Sequence, residues 1–436
     1  MTDFFRLGYL ALGLLIGTSA SADEFMLGVS AHYGLDMGNP TASMPAIEGA
    51  GFNSFRDEIQ WSRVEKEAGQ LKLSAEVAKV DKAVELANAR GIEPLLILCY
   101  GNKVHGGGFP LSDDAKAAFV RYAEFLARHY KGKVRYWELW NEWNQGLGNK
   151  QNLEGRRAAR YAELLKAVYP ALKKIDPNIV VLGGAVEGAG STGWIEDLFD
   201  ADAGKYMDGL SVHPYVFHAG KSGTPERLHG WLTRLVERLK DKPGGANMPI
   251  YITEIGWPNE LRGDKGISRE VARDYIARVL LSVRSVPQVK GVWWYTLQDY
   301  DRGFVGTFGL LEKDGTPKPS YDALKDVAML IRKATKVERL RSDKEAWVLK
   351  LSGPDLKPTY AIWNPEENPR RVVLRLDAAA PEAFGRKSRA TGRKDQSAES
   401  MVQKSADRLR INPSATPVLI EEDEGPVSVR AVELED

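Results

Sequence analysis

The chain has a single cysteine, Cys99, in 436 residues. No intramolecular disulfide can form, so the fold must rest on a buried core, and a chain of this length can bury a large one. Cys99 lies in PLLILCY, a buried-strand pattern, and is expected to be an inert core residue rather than a nucleophile. Histidine is also scarce, at six residues. Neither His-x-x-x-His nor Cys-x-x-Cys spacing occurs, so no metal and no organic cofactor is expected. Charge of one sign is not in excess: 60 Lys and Arg nearly cancel 59 Asp and Glu. A nucleic-acid partner or an anionic membrane is therefore not indicated, and a neutral substrate fits better. No Gly-rich phosphate loop follows the first strand pattern, which argues against a doubly wound nucleotide-binding sheet. No internal repeat is visible.

Long apolar runs are missing as well. The N-terminal run from Leu7 to Ile16 is too short to span a bilayer comfortably. It follows Arg6 and precedes Ala20-Ser21-Ala22, the order of a secretory signal peptide (residues 1–22) cleaved before Asp23. An uncleaved anchor is the alternative, and either form implies export to the periplasm or beyond.

Alternation of short β-rich runs with helical patterns is what the rest of the chain offers. Strand patterns fall at 26–33, 53–61, 93–100, 135–142, 178–185, 208–215, 249–256 and 291–297. Helical runs separate them, such as SAEVAKVDKAVELANARG, which opens on a Ser and closes on a Gly. Eight strands alternating with eight helices predict an α/β fold of the (β/α)8 TIM barrel type over residues 23–335. In such barrels, reactive groups sit at the C-terminal ends of the strands. Those ends carry His32-Tyr33, Arg56 with Trp61, Asn141-Glu142, His213-Pro-Tyr215, Glu254 and Trp293-Trp294-Tyr295.

Carboxylates at the mouths of strands four and seven suit cleavage of a glycosidic bond. One gives a proton to the leaving oxygen while the other attacks or activates water. Indoles offer flat apolar faces to sugar C–H surfaces, and amides bond hydroxyls directionally. The stretch RYWELWNEWNQG combines all three.

WNE at the end of strand four, TEIGW at the end of strand seven and FGLLEKDGTPKPSYDALK after strand eight resemble the clan A glycoside hydrolases. The spacing and the small C-terminal β region most resemble glycoside hydrolase family 39, including the exported endoglycosidases of Psl-type exopolysaccharide systems. The resemblance covers residues 26 to about 334. It implies a monomeric retaining hydrolase acting on a polysaccharide, with exopolysaccharide biosynthesis machinery as a partner. It further implies Glu142 as acid/base and Glu254 as nucleophile, with Asn141 on the neighbouring sugar hydroxyl. Arg56 and Tyr215 would keep Glu254 ionised, while His32, His213 and Trp294 would line the subsite of the attacked sugar. Trp61, Trp143 and Trp257 are assigned to sugar binding as further indole faces. Trp143 stands where the family often has proline, which points to a different leaving-group subsite. His32 and His213 also fit satisfied core histidines, and a shift of one residue along strand eight would exchange Trp294 with its neighbours.

Past residue 335 the pattern becomes short alternating strands separated by Gly, Pro and Asn, so residues 336–436 are expected to form a β-sandwich-like domain that buttresses the barrel. Within it, residues 377–413 read as a long polar loop. The expected function is a retaining endo-glycosidase of an exopolysaccharide. The alternatives are an exo-acting β-xylosidase-like enzyme and a catalytically inactive carbohydrate-binding barrel.

Overall fold

The computed structural model describes residues 24–149, 152–263, 265–366, 370–376, 384–392, 401–405, 407–422 and 429–435. The signal-peptide expectation for residues 1–22 lies outside them. Eight parallel strands close into a barrel in sequence order: β1 (Met26–Ser30), β2 (Ser54–Gln60), β3 (Glu93–Cys99), β4 (Tyr136–Leu139), β5 (Val180–Glu187), β6 (Gly209–His213), β7 (Ile250–Ile255) and β8 (Val289–Trp294). Helices α1 (Pro40–Gly49), α2 (Trp61–Val64), α3 (Ala78–Asn88), α4 (Asp113–His129), α5 (Ala158–Ile175), α6 (Thr192–Asp200), α7 (Pro225–Leu239), α8 (Arg269–Arg284) and α9 (Pro319–Lys333) follow the strands.

Strand periodicity decides what each side chain meets, because successive residues point to opposite faces. Met26, Leu95, Ile97, Cys99, Tyr136, Tyr251 and Trp293 form one apolar cluster in the barrel interior. Leu27, Val29, Phe55, Leu96, Leu98, Trp137, Leu139 and Trp294 belong to the larger layer between strands and helices. Trp293 fills the interior so closely that a Cβ on Gly28 would lie 2.1 Å from its ring. Glycine is the residue that leaves room there.

The helices read as the pattern demands. In α4, Ala115, Ala118, Phe119, Tyr122, Ala123 and Leu126 bury one stripe, and the Ser112 side chain caps the start by accepting from Ala115 N–H. In α3 the expected start is displaced: a 3-10 turn over Ala75–Val77 follows Ser74, and the α-helix begins at Ala78.

The C-terminal region forms two antiparallel sheets. One has the order β13 (Phe384–Ala390), β16 (Val418–Glu422), β11 (Leu356–Trp363), β10 (Trp347–Gly353), β9 (Lys336–Ser342); the other β14 (Val402–Ser405), β15 (Arg408–Ile411), β12 (Arg371–Leu376), β17 (Val429–Glu435). Val348, Tyr360, Ile362 and Ile420 of the first meet Val372, Leu374, Leu409 and Ile411 of the second in one core. The long loop expected over 377–413 is thus corrected: its described residues include β13, β14 and β15. Alternation in RLRI, with Leu409 and Ile411 buried, was too brief to stand out in polar surroundings. The sandwich sits on the barrel helices through Trp347 and Trp363, stacked with centroids 5.2 Å apart, and Trp363 Nε1 donates to Glu226 of α7 at 2.9 Å.

Candidate active site

The chain leaves β4 through a tight irregular turn that presents Asn141 and Glu142 at the barrel mouth. Trp140 (φ 65°) and Glu142 (φ 50°) both adopt the left-handed region, which costs energy for residues other than glycine. Buried indoles hold this turn in place. Trp140 Nε1 donates to Leu147 O at 3.0 Å, and Trp143 stacks on Phe109 at 4.0 Å while donating to Gly155 O at 2.7 Å. Glu142 N–H donates to Ala185 O at 3.0 Å, where a bulge interrupts the pairing of β5 with β6. Asn144 clamps the turn to the end of β5: its Nδ2 donates to Glu187 O at 2.9 Å and its Oδ1 accepts from Glu187 N at 3.1 Å.

Arg56, projecting inward from β2, is the hub. Its Nε donates to Glu138 at 2.6 Å, Nη1 to Glu254 Oε1 at 2.7 Å and Nη2 to Asn141 Oδ1 at 2.9 Å. Tyr215 OH donates to the other oxygen of Glu254 at 2.8 Å. Burial alone would raise the Glu254 pKa, but the positive charges of His213 and Arg56 and the Tyr215 hydrogen bond outweigh it and hold the group below its ordinary value. Glu254 is thereby kept ionised at the end of β7.

Beneath the mouth lies a buried polar layer. His213 Nδ1 is 3.0 Å from Glu142 Oε1, and its Nε2 is 3.0 Å from Thr253 Oγ1. Burial disfavours its charged form, yet Glu254, Glu138 and Glu142 together push its pKa up to about 9. Glu138, in mid-strand on β4, accepts from Thr253 Oγ1 at 2.7 Å and from Ser211 Oγ. Its burial penalty is overcome chiefly by Arg56 and His213, which bring it down to about 2. Two cations and two anions thus sit interleaved in the core, each hydrogen-bonded, as buried charges require.

His32 follows β1 with φ 62°, edge-on to Tyr295 at 5.2 Å. Burial lowers its pKa to about 4, so the ring is neutral near pH 7. Its Nε2 is buried without a hydrogen-bond partner among the described residues.

A cavity of about 740 Å³ opens over this layer, lined by Arg56, Asn141, Glu142, Tyr215, Glu254 and His32 among others. Six expected residues, with His213 directly below, therefore converge. The indole assignments need correcting. Trp294 faces the strand–helix layer, stacked on Trp257, and Trp257 Nε1 donates to Gly223 O at 2.9 Å. Trp61 stacks on His105 at 4.9 Å and donates to Glu65 at 2.6 Å, while Trp143 is wholly buried. None of the four lines the cavity. Both faces of each strand are buried in a barrel, so hydrophobicity alone does not show which face a tryptophan takes. The aromatic walls are instead Tyr100, Tyr295, Tyr300, Phe217 and Phe308. Tyr295 was recoverable by counting outward from Trp294, and Glu138 by its inward parity with Tyr136.

One group of His and acidic side chains among the described residues is spaced for a metal ion: Glu142, His213 and Glu254 offer ligand atoms within 4.8 Å of one another. Arg56 already holds Glu254 Oε1, and the three carboxylates around His213 favour its protonated form, which has no lone pair to offer a metal. The arrangement serves proton transfer and nucleophilic attack better than metal binding.

A family model described as Cellulase (glycosyl hydrolase family 5) matches residues 18–296. A curated relative named Beta-xylosidase, from Caldicellulosiruptor saccharolyticus, is 26% identical over 282 residues, covering 58% of this chain. The match spans 56% of that relative, little over half its length. Among solved structures, a family 39 glycoside hydrolase from the gut symbiont Bacteroides cellulosilyticus WH2 has a TM-score of 0.72 at 25% identity, covering 92% of this chain and 81% of that one. A GH39 β-xylosidase from Caulobacter crescentus has a TM-score of 0.60 at 19% identity, covering 92% and 97%. A GH5_18 enzyme from Streptomyces cattleya in complex with GlcNAc reaches 0.59 at 18%, covering 72% and 82%. The last two speak to the fold alone.

Proposed function

The chain belongs to the cellulase (glycosyl hydrolase family 5) family of clan A glycoside hydrolases, and on that premise we propose that it is a retaining endo-glycosidase of a polysaccharide. The observation that carries the retaining mechanism is the proximity of the two carboxyls. An oxygen of Glu142 and an oxygen of Glu254 lie within 4.8 Å of each other. Retaining enzymes hold the pair about 5–5.5 Å apart, while inverting ones leave about 6.5–9.5 Å for a water.

Glu254, ionised and aimed by Arg56 and Tyr215, attacks the anomeric carbon. Glu142 gives its proton to the glycosidic oxygen, which leaves as the aglycone hydroxyl. A glycosyl–Glu254 ester results. Glu142 then takes a proton from water, whose oxygen displaces Glu254 and restores the anomeric configuration. Asn141, fixed by Arg56 and by donation to Tyr100 at 3.2 Å, is placed to bond the hydroxyl next to that carbon.

An exo-acting β-xylosidase-like activity is supported equally, by the relative of that name. A bacterial exopolysaccharide is the proposed substrate, and Arg6, the apolar run and Ala20-Ser21-Ala22 support export to the periplasm or beyond.

Azide tests the roles. Glu142→Ala should lose about 10²–10⁴ in kcat, and azide should restore turnover of a dinitrophenyl glycoside, giving a glycosyl azide of retained configuration. Glu254→Ala should lose more, and its rescue product should be inverted. Retained product from the Glu254 variant and inverted product from the Glu142 variant would exchange the two roles.

A further inference from the structure

Pairing of β1 with β2 ends at Ser30 opposite Arg56, and Ala31 N–H makes the last bond to that strand's backbone, reaching Arg56 O at 3.1 Å. The next side chain of β2 then takes over. Asp57 Oδ2 accepts from Tyr33 N–H at 2.6 Å, and Asp57 Oδ1 accepts from Gly34 N–H and from Glu58 N–H, both at 2.8 Å. The first two amides belong to a 3-10 turn over Tyr33–Leu35, flanked by His32 and Asp36 in the left-handed region. Such a backbone is strained for residues other than glycine and persists only where its surroundings hold it. The hold is close here, since a Cβ on Gly34 would lie 1.8 Å from Glu58 O. His32 and Leu35 carry the turn into the wall of the catalytic cavity.

Asp57 does nothing else. It is 3% exposed, and among the described residues no side chain donates to it and no cation pairs with it. Its neighbour Arg56 is committed to Glu138, Glu254 and Asn141. A buried carboxylate without a cation is costly, and what this one secures is the turn.

We propose, resting on the double-displacement reading above, that Asp57 is a positioning residue for the reaction: its ionised carboxylate fixes the turn that aims His32 at the sugar attacked by Glu254. Protonation would set an O–H against one of the amide N–H groups and loosen that turn. Burial pushes the Asp57 pKa up to about 7, although three amides favour the ionised form, so the change falls near neutrality. The titratable and charged groups that face it are Glu58 on its own strand, Tyr33 in the turn, Arg63 of α2, which donates to Gly34 O, Cys99 of β3 and Tyr130 after α4. Burial keeps Tyr33, Cys99 and Tyr130 protonated at neutral pH. It raises Glu58 as well, so a variant at Asp57 is needed to separate the two acids.

Dinitrophenyl β-xyloside and β-glucoside test this on the full chain, because dinitrophenolate leaves without a proton and kcat/KM then reports attack by Glu254 alone. Wild-type kcat/KM should rise about tenfold between about pH 5 and 8, as Asp57 ionises. Asp57→Asn, which sets an amide N–H against Tyr33 N–H, should stay at the low value throughout, so that the two profiles meet at the acid end. Hydrogen exchange gives a readout apart from activity. Protection of the Tyr33 and Gly34 amides, corrected for intrinsic exchange, should rise through the same pH in the wild type and remain low in the variant. If the variant does not fold, the wild-type exchange profile decides. A level wild-type kcat/KM, a limb that survives in Asp57→Asn, or protection indifferent to pH would overturn the proposal and leave the glycosidase reading standing. Failure to cleave either glycoside would count against the glycosidase reading, and exchange alone would then judge the hold on the turn.

Discussion

Arg56 does for single residues what no neighbour in the site can replace. Its planar fork satisfies Glu138, Glu254 and Asn141 at once, a geometry lysine does not reproduce. The charges it organises also set a pH window. His213 is raised to about 9 from 6.5, so its contribution to stability is complete below about 6.5 and is lost as pH rises through about 9. Glu138 is lowered to about 2 from 4.5, so its contribution is present above about 4.5 and is lost as pH falls through about 2. Above about pH 6.5 the melting temperature is expected to decline as His213 loses its proton, and below it the neutral imidazole of His32, lowered to about 4, costs stability before Glu138 does. Glu138→Gln removes one of the groups that raise His213, so its alkaline decline should begin at lower pH. An unchanged alkaline limb would show that Glu138 does not act on the imidazole.

Strands and turns explain both what the sequence revealed and what it concealed. Glu142 and Glu254 were legible because a polar residue ending a strand pattern in WNE and TEIGW has few structural reasons to be there. The tryptophans were not legible, since the interior of the barrel and the layer beneath its helices are equally apolar. At the end of β8, Trp293 turns inward to donate to Ser54 Oγ at 2.9 Å and Trp294 turns outward, and Tyr295, just beyond the strand, turns back toward the cavity. A one-residue count separates wall from core. Trp294→Ala should therefore cost about 3–5 kcal/mol of stability, as a large buried aromatic does, with KM nearly unchanged. Tyr295→Ala should instead raise KM. Kinetic titration beside thermal melts of the two variants decides it, and a KM effect confined to the Trp294 variant would return that indole to the cavity. The turn after β4 was hidden for another reason. Its left-handed residues are a tryptophan and a glutamate, not the glycines that mark such positions.

At the scale of the molecule, the sandwich rests on a largely buried ion pair between two barrel helices. Arg278 of α8 holds Glu226 of α7 with Nε to Oε1 at 2.9 Å, and the Trp363 indole from β11 bonds the same oxygen. Burial would raise the Glu226 pKa, but Arg278 outweighs it and keeps the group below its ordinary value. Arg278→Met leaves that carboxylate uncompensated and should lower stability by about 3–5 kcal/mol, seen as a lower denaturant midpoint. Double replacement with Glu226→Gln should recover much of the loss, and absence of recovery would place the effect elsewhere. The placement of the indoles has one more consequence, for spectroscopy. Of the eleven tryptophans all but Trp194 are buried, and none lines the catalytic cavity. Intrinsic emission from this protein thus reports the melting of its packed layers and stays nearly silent when saccharide enters the cleft, where tyrosines form the wall.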